Sequence, residues 1–260
     1  MLRVLKSELI RLNRPSFLAG GIGGMAAFGA ISTIVGFAAA GKTGAGPGAY
    51  IPSEAALAAP DGYVAGLVLA ANLVGIIALS FWAIATASDY STGLIRLLAQ
   101  AEPRRWRLIV GKFLALVLFT IAGTLAATLT AYGAALACAA VFDVSAAAWT
   151  DVLPPLLEAF RNLALAATVW GTRGMVIALL TRSSGVAIAT GIGYLVVFEN
   201  MILAVANEAS DWLLGATLTA LAAGGTPTIA FESALQLGAA YLAGGILIAV
   251  AVMHFREITY

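Results

Sequence analysis

Six stretches of this chain are long, apolar and almost free of charge: approximately 16–40, 64–87, 113–142, 156–180, 185–206 and 233–253. Four of them contain no Asp, Glu, Lys or Arg at all. A helix rises about 1.5 Å per residue and needs about 20 apolar residues to cross roughly 30 Å of hydrocarbon, so each stretch can form a membrane-spanning helix. With 61% hydrophobic and 10% charged residues, the chain could not hide its apolar surface in a water-soluble domain, where about a quarter of residues are charged. The fold class expected is an all-α integral membrane protein with six transmembrane helices, forming a single transmembrane domain over residues 1–260.

Composition removes several function classes. A net charge of +1, with basic residues neither abundant nor spread over one water-facing domain, gives no nucleic-acid footprint. A single cysteine, Cys138, excludes an intrachain disulfide, and a single histidine, His254, leaves no cluster for a transition metal. No catalytic, metal or cofactor-binding residues are expected, and no stretch between spans is large enough for an enzymatic domain. The pattern G-x-x-x-x-G-K-[ST] does occur, as Gly36 to Thr43. Its first glycine, however, falls inside span one, and its lysine emerges into a Gly- and Pro-containing loop. Cradling a phosphate needs a buried strand before the loop and a helix after it, so nucleotide binding is not expected.

Residues 1–14 place Leu2, Leu5, Leu9 and Leu12 on one face and Arg3, Lys6, Ser7, Arg11 and Arg14 on the other, the pattern of an amphipathic helix lying in the membrane interface. The apolar run that follows is longer than a signal-peptide core and shows no persuasive cleavage site. Residues 212–231 are uncharged, but only about a dozen of them precede Gly224, Gly225, Thr226 and Pro227, which suits a re-entrant or interfacial segment before span six. Six crossings put both termini on one side, together with eleven of the fourteen Lys and Arg. By the positive-inside rule that side is the cytoplasm.

Between spans two and three, Ser88 to Lys112 forms a charged island holding five of the fourteen basic residues. Leu94, Ile95, Leu97 and Leu98 sit between an acidic start and Pro103, which reads as a short helix with a stop signal. The island is similar to the cytoplasmic loop of ABC transporter permeases of the second export type. The resemblance rests on Asp89, Gly93-Leu94-Ile95-Arg96, Leu97-Leu98, Pro103, Arg104-Arg105 and Gly111-Lys112. It departs from the family pattern at Leu94, where threonine is usual, and at Asp89, where glutamate is commoner. The amphipathic first helix, the six spans and the broken segment extend the likeness over nearly the whole chain.

The resemblance implies a transport subunit that hydrolyses no ATP itself. Two permease protomers, identical or paired with a sister chain, would form the pathway among membrane lipid, and two copies of a separate ABC ATPase subunit would hold ATP and magnesium. Asp89, Gly93, Leu94, Arg96, Leu97, Leu98, Pro103, Arg104 and Arg105 would form the coupling helix and its flanks, seated against the ATPase. A multi-pass protein of a prokaryotic plasma membrane is also implied. On charge bias alone, the same island could be an ordinary solvated loop that merely sets orientation.

Inside the spans, Arg173 and Glu199 are charges that lipid disfavours, and they are candidates for lining the pathway or latching protomers together. Sliding span four outward would instead bring Arg173 to the inner interface, and the two depths do not suggest a direct pair. Asn72 and Asn200 are weaker candidates, better suited to hydrogen bonds between helices. Gly20 and Gly24 give a G-x-x-x-G spacing for close helix approach, within the protomer in preference to a dimer. Trp82, Trp106, Trp149 and Trp212 fall near span ends, where indoles anchor. Two rival functions stand beside the exporter: an ATPase-independent secondary transporter or channel using the intramembrane charges, and a non-transporting anchor. The first calls for internal repeats or paired broken helices, and the sequence has one broken segment. An anchor has little use for charges within spans.

Overall fold

The computed structural model describes residues 2–42, 51–102, 104–205 and 212–255, and among them every regular element is helical. In chain order the helices of eight residues or more are α1 (Leu2–Leu12), α2 (Pro15–Ala39), α3 (Gly62–Ser91), α4 (Leu94–Ala101), α5 (Arg105–Val141), α6 (Leu153–Thr181), α7 (Ser184–Ile202), α8 (Leu214–Ala223) and α9 (Phe231–Phe255). Six of them, α2, α3, α5, α6, α7 and α9, are long and apolar enough to cross a membrane, which makes this a multi-pass membrane protein.

Local chemistry sets the helix ends. Pro15 opens α2, where its missing N–H has no partner to lose. Arg182 adopts a left-handed conformation (φ 57°) to close α6, and Ser183 Oγ accepts the Val186 N–H at 3.3 Å to open α7. That reversal therefore needs only two residues. Gly224 and Gly225, at φ 76° and 113°, close α8. The largest departure from expectation is α5, which starts at Arg105 rather than Phe113 and, at 37 residues, is about 55 Å long. Nothing between Arg105 and Lys112 breaks a helix. Loss of charge marks what lipid tolerates, not where the helix begins.

The bundle is centred on α3 and α6, which run side by side in the same direction and share the most extensive interface. Small residues bring them together: Gly174 lies on the Leu79 backbone, Gly171 on the Trp82 indole, and Gly75 on Trp170. Helix α2 packs along α5 and α3. Helices α7 and α9 both lean on α6, scarcely touch each other, and are the least buried of the six long helices.

Two expected features fall elsewhere. Trp82 and Trp149 are core residues rather than interface anchors: the Trp82 indole donates to Thr120 Oγ1 at 2.9 Å and that of Trp149 to the Leu57 carbonyl at 3.2 Å. Trp106 and Trp212 are the exposed pair. The close approach of α2 is not made at Gly20, which has no neighbour within 4 Å of where a Cβ would stand, but at Gly29, which lies on the Ala127 backbone of α5. Cys138 is buried in the cluster around Tyr63 and Trp149, and Gly36 lies in the last turn of α2.

Gly29→Ala should therefore separate α2 from α5 and destabilise by about 1–3 kcal/mol, because backbone cannot step aside as a side chain can. Gly20→Ala should be neutral or slightly stabilising. Thermal unfolding of the two purified variants in the same detergent checks the contrast, and equal melting temperatures would remove the proposed α2–α5 contact.

Candidate functional site

The charged island folds into a helix whose two sides have different surroundings. Thr92 turns back on α3, its hydroxyl donating to the Ser88 carbonyl at 2.6 Å, and Gly93 then takes φ 70°, a left-handed conformation that suits glycine. Helix α4 follows. Ile95 on its inner side is buried in the cluster containing Leu12, Ile109, Leu179 and Met253, while Leu94 and Leu98 are half-buried. Arg96 and Leu97 project outward, Leu97 being 64% exposed. Beyond α4, Arg104 is exposed and Arg105 half-buried. Trp106 is also exposed, with the Arg107 guanidinium 5.6 Å from its ring. Pro103 lies outside the described residues.

Beneath α4 sits a four-charge cluster. Lys112 Nζ contacts Glu8 Oε2 and Asp89 Oδ2, each at 2.9 Å, and also donates to the Ala85 carbonyl at 3.2 Å. Arg11 reaches Glu8 Oε1 at 2.9 Å with one nitrogen and Asp89 with the other. Two cations and two anions thus alternate around a closed ring that joins α1, α3 and α5. Glu8, Asp89 and Lys112 are almost fully buried. Burial works against the Arg11 charge, but the carboxylates of Asp89 and Glu8 outweigh it and raise its pKa above the ordinary value. Thr86, whose buried hydroxyl has no partner among the described residues, lines a cavity of about 10 Å³ beside the ring.

Asp89 belongs to this ring: its side chain is 3% exposed, and its two oxygens contact Arg11 and Lys112 below the start of α4. Of the four, Asp89 alone is expected at a site from the sequence; Arg11 is expected on the polar outer face of α1, Lys112 only in the loop pattern, and Glu8 is missed. The signal was there, since Glu8 interrupts the stripe of Leu5 and Leu12 that packs inward, and an acid on an apolar stripe calls for a buried cation.

Arg173, Glu199, Asn72 and Asn200 do not form one site. Gly174 is level with Leu79, and Asp89 lies ten residues farther along α3, so Arg173 is about 15 Å from the charge ring. Its guanidinium stands 4.5 Å from the centroid of the Tyr241 ring on α9. The Glu199 carboxylate instead accepts the Gly215 and Ala216 N–H groups at 3.0 and 2.7 Å, and the Tyr194 hydroxyl accepts that of Leu214 at 3.4 Å. Three free donors at the start of α8 are thereby satisfied from α7. Asn72 accepts from Thr219 of α8 at 3.3 Å, a bond between helices as expected. Asn200 bonds within its own helix, to the Leu195 and Val196 carbonyls at 3.1 and 3.0 Å, both in the π-helical stretch Tyr194–Glu199. Among the described residues no group of three or more His, Cys, Asp or Glu could hold a metal.

Lys112→Met removes the cation shared by both carboxylates and leaves the ring with excess negative charge in a buried place. The expected destabilisation is about 3–5 kcal/mol, with Glu8→Gln adding less on that background than alone. Thermal unfolding of the single and double variants measures it, and strict additivity would mean the ring is not one unit. Compared with known proteins, the chain matches no family model and no curated protein sequence.

Proposed function

We propose that this chain is the membrane-spanning permease subunit of an ATP-binding-cassette exporter of the second export type. The observation that carries the reading is α4: a short helix between the second and third spans, with Ile95 anchored inward, Arg96 and Leu97 outward, and a buried ring of charges under its base. An exposed leucine on the outer side of this helix, next to Arg96 and near Arg104, suits insertion into a partner's cleft, with Leu97 as the buried anchor and Arg96 and Arg104 on the rim. A rigid base lets such a helix pass on movement that a loose loop would absorb.

In this reading α4 faces the cytoplasm as the coupling helix, the termini lie on that side, α1 rests in the interface, and α8 is a re-entrant helix before the last span. Two ATPase copies bind below, carrying ATP and magnesium. A second protomer, identical or a sister chain, completes the pathway in a plasma membrane. The poorly buried α7 and α9 leave a large apolar flank for that protomer or for lipid. Arg173 lines the pathway or the join between protomers.

Arg173 also favours a second reading, an ATPase-independent transporter that couples an ion through intramembrane charge, because no carboxylate among the described residues pairs with it directly. Co-purification separates the two. Arg96→Glu should leave the protein inserted and folded but lower ATP-driven transport and ATPase capture by at least tenfold. Wild-type transport by that variant, or transport by protein that never captures an ATPase, would defeat the exporter reading.

A further inference from the structure

Where α1 crosses the bundle, an open groove of about 430 Å³ lies between it, α2 and α5, within the size range of small-ligand sites. Its walls are Leu9 and Ile10 of α1, Ile22 of α2 and Leu118 of α5, and its polar lining comes from Lys6 and Asn13 at the α1 end. We propose that the groove holds an anionic phospholipid of the leaflet nearer the N-terminus, one acyl chain against Leu9, Ile22 and Leu118 and the headgroup phosphate at Lys6.

Three observations lead to this occupant. The first is direction: Lys112 of α5 binds Glu8 of α1, and Leu118 lies six residues farther along α5, so the groove runs about 9 Å from the level of α1 along the apolar helix surface. A polar entrance above an apolar floor matches the order of headgroup and chain. The second is charge. Lys6 is exposed and makes no ion pair among the described residues, and Arg3, one turn earlier, is exposed on the same helix. The third is rigidity. Glu8 and Arg11 fasten the other side of α1 to α3 and α5, so α1 cannot turn Leu9 and Ile10 inward to fill the groove without breaking buried ion pairs.

Native mass spectrometry of the purified full chain, titrated with phosphatidylglycerol or phosphatidylcholine of equal chain length, tests the site. The first phosphatidylglycerol should bind about fivefold more tightly than phosphatidylcholine, the contribution of one lysine near an anionic surface. Lys6→Glu should erase the preference. Ala122→Trp, at an exposed position lining the groove, should lower the first binding of both lipids by at least tenfold. Ile10→Trp, 64% exposed on the opposite wall, serves the same purpose if Ala122→Trp shifts the thermal transition. Glycerol phosphate, the headgroup without chains, should not displace the lipid. Equal binding of the two lipids, unchanged binding in both tryptophan variants, or displacement by glycerol phosphate would each overturn the proposal. The test does not depend on transport, so it stands or falls apart from the exporter reading.

Discussion

Glu8, Asp89 and Lys112 are buried, and Arg11 half-buried, where three helices meet, and the buried charges would be strongly unfavourable there without their neighbours. Alternation solves this: every anion touches two cations and every cation two anions. Such a ring adds modest net stability, since desolvation offsets much of the attraction, but it is unforgiving about geometry. A helix that slips by one turn leaves a charge unpaired. The ring therefore acts as a register pin. It sets α1 against the long bundle helices and fixes the end of α3, from which α4 departs after Gly93.

At the opposite extreme of chemistry, the middle of the bundle is held by contacts with almost no polarity. Gly174, Gly171 and Gly75 let α3 and α6 approach until backbone and indole rings fill the space between them. In a membrane, lipid competes equally for apolar side chains, so close packing and buried hydrogen bonds must supply the association. Trp82 provides both, filling the gap at Gly171 and bonding to Thr120 across to α5. The pin at one end and the glycine contacts in the centre divide the labour. One fixes register, the other brings the helices close.

How much of this was legible in the sequence follows from the range of each signal. Six spans could be read because the bilayer acts on every residue of a crossing, so the evidence accumulates over some twenty positions. Helix α4 could be read because apolar spacing and a stop signal are local. Glu8 escaped because its long-range partner is Lys112, and no short-range pattern announces a contact across 104 residues. Trp82 was misplaced for a similar reason. Its distance from the end of the span suggests an anchor, while the acceptor that draws it inward, Thr120, belongs to another helix. Gly20 met the close-packing spacing and Gly29 made the contact, because spacing defines a face but not which face meets a neighbour.

Intramembrane charge shows why residues of similar cost can have different duties. Glu199 sits at the start of α8, where unpaired N–H groups give the helix end roughly half a positive charge, and it answers that charge with two hydrogen bonds. Its position is explained by the short helix it caps. Arg173 has no such account: the Tyr241 ring gives it a partial partner, worth less than a carboxylate in the same place. Adding the helix end, the guanidinium and the carboxylate leaves about half a positive charge in an apolar layer.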